Sequence, residues 1–187
     1  MPTLLKKGRL SILAVTVALI LCSACVSTSA PKPGTFTAPM ESRLILQVPF
    51  HPSDEAPCAA AALAAVMTFN GRPTIVDKTA MALESVGNRE KGREMVIWAR
   101  HESMKADFSA GTPEQLIEAV KANKPVIIRL DKKAEPVEAG NYAVVVGYTP
   151  DGPVVNSCDI NQQIVPWGNF LSAWYKAGNL MIMIEPL

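Results

Sequence analysis

From Pro57 to Phe69 the chain reads Pro-Cys-Ala-Ala-Ala-Ala-Leu-Ala-Ala-Val-Met-Thr-Phe, a run of strong helix formers with no polar side. A helix that is apolar all round has to be enclosed by other elements, so the chain must fold around this segment. Pro57 suits the first helical position, Ser53 or Asp54 is near enough to cap, and Asn70-Gly71 supplies the stop. Enclosing such a helix takes a sizeable domain, and Leu44 to Leu187, 144 residues of the 187, provides one without internal repeats.

The elements expected around it are helices first and strands afterwards. A second helix is predicted over Val76–Glu84 and a third over Arg93–Met104, with Arg89 to Arg93 as a solvated loop leading into it. Thr112-Pro113-Glu114-Gln115 is a capping-box pattern that opens a helix to about Ala122, and Phe170–Lys176 forms one more short helix. Strands are predicted at Pro125–Leu130, Tyr142–Tyr148, Pro153–Ser157 and Asn179–Ile184, with Asp151-Gly152 turning a hairpin between the middle two. This order gives an α+β fold with an antiparallel sheet. Trp98, Trp167 and Trp174 read as packing residues, and the methionine-bearing run Leu180 to Ile184 reads as a buried strand.

The N-terminus reads as an address. Lys6, Lys7 and Arg9 precede an apolar run from Leu10 to Leu21, too short to span a bilayer and suited to a signal peptide. The run ends in Cys22-Ser23-Ala24-Cys25, which resembles a bacterial lipobox with Cys22 where leucine is usual. The resemblance makes Cys25 the lipidated first residue of the mature chain. Ordinary secretion, with cleavage near Ala24 or Ala30, is the alternative. The division expected is a signal peptide over 1–24, a Ser/Thr/Pro-rich flexible tether over 25–43 and the domain over 44–187. The destination is the bacterial envelope, the domain facing the periplasm, and Val26-Ser27 after Cys25 favours the outer membrane under the enterobacterial sorting scheme.

Charge narrows the partners. The chain carries a net +1, but removing Lys6, Lys7 and Arg9 leaves 15 basic against 17 acidic residues, a net of −2. Such a balance disfavours nucleic acid and anionic membrane faces as partners of the domain. Four cysteines and two histidines, His51 and His101, lack the spacing of a zinc site, and nothing in the sequence implies a metal or cofactor.

Chemistry can lie in two places. Cys58 opens the buried helix, where free backbone N–H groups and the helix dipole favour a thiolate; a small buried cysteine is the plainer reading. Gly140 to Tyr148 (Gly-Asn-Tyr-Ala-Val-Val-Val-Gly-Tyr) reads by itself as a central strand. Val48-Pro49-Phe50, Cys58 with its Ala/Leu helix, Lys124-Pro125-Val126-Ile127-Ile128, Asn141 with its strand, then Trp174 and Ala177-Gly178 keep the order of a papain-like cysteine peptidase. Over Leu46–Leu187 the chain resembles the bacteriocin-processing (double-glycine leader) peptidase family. The resemblance implies a papain-like fold, a helical N-terminal lobe with the cysteine helix packed on a C-terminal antiparallel sheet.

It also implies a site, and the site is degenerate. The family's nucleophile is retained as Cys58, but Ser53 stands at the oxyanion-glutamine position, Asn141 at the histidine position and Ser157 at the aspartate position, with Asp159 close by. Ala59-Ala60 replaces Gly-Pro after the cysteine. An amide cannot shuttle a proton at neutral pH, and general acid–base catalysis is worth roughly 10²–10⁴-fold. His51, seven residues before Cys58 on the loop that would line the cleft, is the one substitute base in reach, although an exposed loop histidine is its simpler reading. His101 falls on the surface of the third helix. In the family fold Cys158 lies near the cleft, so a Cys58–Cys158 disulfide is a candidate, but strand alternation points Cys158 to the face opposite Ser157. These readings favour a catalytically inactive domain that binds a peptide or envelope protein. An active thiol peptidase or acyl transferase using His51 or a partner's base is the alternative, and a structural part of an envelope assembly is a third.

Overall fold

The computed structural model describes residues 36–187 apart from 46, 53, 55–56, 88–89 and 132–141. The alanine-rich run forms helix α1 (Cys58–Phe69), and Ala59 to Met67 are all buried, as a helix without a polar face requires. Helix α2 covers Val76–Glu84 and α3 covers Lys91–His101. Helix α4 (Pro113–Lys121) opens on the expected capping box: the Gln115 N–H donates to Thr112 Oγ1 at 3.3 Å, and the Thr112 N–H donates to Gln115 Oε1 at 2.9 Å. Helix α5 covers Trp167–Lys176.

The strands are β1 (Arg43–Leu44), β2 (Met104–Ala110), β3 (Val126–Arg129), β4 (Tyr142–Tyr148), β5 (Pro153–Asn156), β6 (Gln163–Ile164) and β7 (Leu180–Pro186). They form one antiparallel sheet in the order β2-β7-β3-β4-β5-β6, with β1 paired to β4. The fold is α+β, as the order of elements in the sequence implies, and it has the helical N-terminal part and C-terminal antiparallel sheet that the resemblance leads one to expect. The β4–β5 hairpin turns at Asp151-Gly152, where Thr149 Oγ1 accepts from both N–H groups.

Several elements depart from expectation: α5 begins one turn earlier than the expected Phe170, and β6 is not among the expected strands. The third helix ends at His101 and starts at Lys91, inside the stretch expected as a loop, while Met104 begins a strand that pairs with β7 over seven registers. Residues 36–43, read from composition as the end of the tether, pack on the domain. Phe36 meets Trp167 with ring centroids 4.7 Å apart, Tyr148 Oη donates to Glu41 Oε1 at 3.1 Å, and Arg43 pairs with Tyr148 in the sheet.

The sheet divides the core. Ile127, Tyr142, Val144 and Val146 face α1 and α3, while Val126, Ile128, Ala143 and Val145 face α4 and α5. Strand β4 is therefore covered on both sides, which explains its unbroken apolar run. A bulge between Val145 and Gly147 breaks the alternation and turns Tyr148 to the α4 side. Trp167 and Trp174 are buried and Trp98 is half-buried, in keeping with packing roles.

Candidate functional site

Cys58 is the first residue of α1, and the helix lies across β4 so that its N-terminal turn meets the end of β5. Pro57, extended at ψ 136°, takes the N-cap position, and among the described residues no side chain, Asp54 included, caps the helix; Ser53, the other cap expected, lies outside them. The Pro57 carbonyl accepts from the Ala60 and Ala61 N–H groups instead.

On the sheet side β5 ends at Asn156, and the chain turns at once. The Ser157 N–H donates to the Ile160 carbonyl at 3.0 Å, and the Ile160 N–H donates to Ser157 Oγ at 3.2 Å. Cys158 sits within this turn, 4% exposed, and its sulfur is bonded to that of Cys58, with the two Cα atoms 5.0 Å apart. The alternation that would have turned Cys158 away from Ser157 does not operate, because both residues lie beyond the strand.

Around the disulfide is a cavity of about 10 Å³, room for one water. His51, Tyr142, Asn156 and Ser157 line it, with Pro49 and Phe50 from the preceding loop and alanines of α1. His51 is half-buried at this cavity, not the exposed loop residue that was its simpler reading. His101 ends α3 exposed, its Nδ1 3.5 Å from Glu102 Oε1. Asp159 is exposed and does not line the cavity, so Ser157, with a hydroxyl and no charge, is the residue in place there. Asn156, whose Oδ1 accepts from the Gln162 N–H at 3.0 Å, and Tyr142 are lining residues that sequence reasoning missed. Both were legible as neighbours of the assigned positions 157 and 141. Burial raises the Tyr142 hydroxyl above its ordinary pKa of 10.0, partly opposed by Arg129 and by a hydrogen bond with the Gly92 backbone. It is thus a neutral lining group at physiological pH.

Ser53, Asn141, Cys22 and Cys25 lie outside the described residues. Among the described residues no three His, Cys, Asp or Glu side chains cluster to hold a metal ion. The cavity can seal and brace; with the sulfur of Cys58 in a covalent bond it offers no thiolate.

Solved structures share this architecture. A C39-like peptidase from Bacillus anthracis superposes with a TM-score of 0.63 at 18% identity, over 79% of this chain and 98% of that one. A double glycine motif protease from an AMS/PCAT transporter, in complex with the leader peptide, gives 0.60 at 17% over 81% and 99%. The peptidase domain of Streptococcus ComA, a bifunctional ABC transporter of a quorum-sensing pathway, gives 0.57 at 18% over 78% and 98%. At these identities the likeness shows the fold alone. No curated protein matches the chain. The Peptidase_C39 like family matches residues 43–182, a stretch that opens at β1, takes in every residue lining the Cys58 cavity and reaches into β7. The chain belongs to that family.

Proposed function

We propose that the protein is a lipid-anchored envelope protein whose C39-like domain binds a peptide or partner protein without cleaving it. One observation carries the reading: the sulfur of Cys58, the retained nucleophile position, is bonded to Cys158. A thiol peptidase needs a free thiolate, a base to take its proton, an acid to orient the base and donors for the oxyanion. Asn141, Ser157 and Ser53 stand in sequence where the base, the acid and an oxyanion donor are required. Peptide recognition draws support from the double glycine motif protease solved with its leader peptide. The lipid anchor rests on the Cys22-Ser23-Ala24-Cys25 pattern and places the domain on the periplasmic side, with the outer membrane favoured.

The test incubates the purified mature protein with a double-glycine leader peptide, with and without a dithiol reductant, and follows products by mass spectrometry. No cleavage is expected in either condition. Cleavage that Cys58→Ala abolishes overturns the reading. Incorporation of labelled palmitate that survives Cys25→Ser overturns the anchor.

A second reading is favoured by His51, which lines the same cavity as Cys58. On reduction this histidine would serve as base for a thiol enzyme. It requires that Cys58 of the reduced protein react with iodoacetamide faster than an ordinary thiol, and that His51→Ala slow the reaction. A rate equal to that of a model thiol removes it.

A further inference from the structure

The disulfide cavity has room for about one water, so a peptide side chain has no place in it. Beside it, on the other side of the α1 N-terminus, lies a groove of about 440 Å³ between α1 and α2, within the size range of small-ligand and side-chain pockets. Its origin is legible in the sequence. Ala59 and Ala60 of α1 face Ala80 of α2, three methyl groups where two packed helices usually present long side chains. The buried Thr79 hydroxyl is shared between the Val76 carbonyl of its own helix at 2.6 Å and the Ala60 carbonyl at 3.1 Å, a contact that holds α2 against α1. Leu83 adds to the apolar lining, and Met81, 73% exposed, stands at the side as a soft, adaptable contact.

The rim is charged. Asp77 and Glu84 lie on α2, both exposed, and Lys91 begins α3. Among the described residues none of these three side chains has an ion-pair or hydrogen-bond partner, although other charged residues of the surface, such as Arg100 with Asp107 and Lys124 with Glu185, are paired. Seven residues of helix separate Asp77 from Glu84 by about 10.5 Å, roughly the length of three residues of extended chain.

We propose that this groove, and not the disulfide cavity, is the peptide site, and that it takes an extended segment in which apolar residues lie between two basic ones about three positions apart. The apolar side chains fill the alanine-floored depression and the basic pair meets Asp77 and Glu84. Lys91 disfavours a further cation at its own end. The inference rests on the reading of the domain as a peptide binder and names where and what it binds.

The test uses the intact mature protein in detergent and two fluorescent peptides, Gly-Lys-Leu-Val-Lys-Gly and Gly-Glu-Leu-Val-Glu-Gly, read by anisotropy. The lysine peptide is expected to bind at least about fivefold tighter than the glutamate peptide, in line with two exposed ion pairs, and to weaken in high salt. Asp77→Lys with Glu84→Lys reverses the preference; both positions are exposed, and circular dichroism confirms the fold. Equal binding of the two peptides, or a preference unchanged by the double substitution, overturns the groove and leaves the non-cleaving reading in place. Failure of both peptides to bind at about 1 mM also overturns it, and the leader-peptide assay then decides the broader reading separately.

Discussion

Removing the Cys58–Cys158 bond should be the most consequential small change this domain can suffer. The two residues are 100 positions apart. A cross-link closing a loop of that length restricts the unfolded chain by about 4.7 kcal/mol on the chain-entropy account, and loss of native disulfides from small secreted domains costs about 2–5 kcal/mol. Set against a typical domain stability of about 5–15 kcal/mol, the chain-entropy figure is about a third of the total or more. The double variant Cys58→Ala/Cys158→Ala avoids leaving an unpaired thiol. Urea unfolding followed by tryptophan fluorescence reports it directly, because Trp167 and Trp174 are buried. With a slope of about 2 kcal/mol/M, the midpoint should fall by about 1–2.5 M. The slope itself should rise, since the uncrosslinked unfolded chain exposes more surface. Alkylation followed by peptide mapping should find Cys58 and Cys158 protected until the protein is reduced. Coincident midpoints for the oxidised protein, the reduced protein and the double variant would refute the argument, as would ready alkylation of Cys58 without reductant.

Three further outcomes follow from particular residues. A Cβ at Gly152 would run into the Val165 carbonyl, so Gly152→Ala should destabilise by about 1–3 kcal/mol in urea, and an unchanged midpoint would show that the β6–α5 connection yields freely. Thr112→Ala removes one side of the α4 capping box and should cost about 1 kcal/mol, measured the same way. Burial raises the folded pKa of Tyr142, so its contribution to stability is complete below the unfolded value of 10.0 and is lost as pH rises through the folded value; Tyr142→Phe should flatten the alkaline limb of a stability-against-pH curve, and an unaltered limb would assign it to other groups.

How much of this was legible in the sequence depends on how local the determining physics is. Helix α1 declared itself because no other arrangement hides so many consecutive apolar residues. Helix α4 declared itself through a cap that Thr112 and Gln115 make within one turn. Strand β2 did not: Met-Lys-Ala-Asp-Phe-Ser-Ala has no β-branched residue, and only Met104 and Ala106 are buried, so its conformation comes from pairing with β7, at least 70 residues away. Two-residue strands such as β6 carry too little pattern to announce themselves. At the site, the order of motifs pointed to Cys58 and Ser157, but the disulfide was obscured because strand alternation does not extend to Ser157 and Cys158, which lie past the strand's end at Asn156. His51 was visible as a neighbour in sequence; its place on the cavity depends on how the loop from Val48 folds back, which no local signal encodes.

A nucleophile and a staple make opposite demands on one sulfur, and the position of Cys58 shows how the same backbone can meet either. The N-terminus of a helix stabilises a thiolate, which serves catalysis and equally makes Cys58 the better leaving sulfur in thiol exchange. Expelling it, however, requires attack on Cys158, which is buried within the Ser157–Ile160 turn. Attack on the half-exposed Cys58 instead must release a thiolate at Cys158, which is 4% exposed, so the departing charge would form away from water. Each route meets an obstacle that exists only while the domain is folded. The bond restricts the unfolded chain, and the fold shelters the bond, so the two stabilise each other. The start of α1 can thereby become a fixed wall without any displacement of the helix, leaving recognition to the surface beside it.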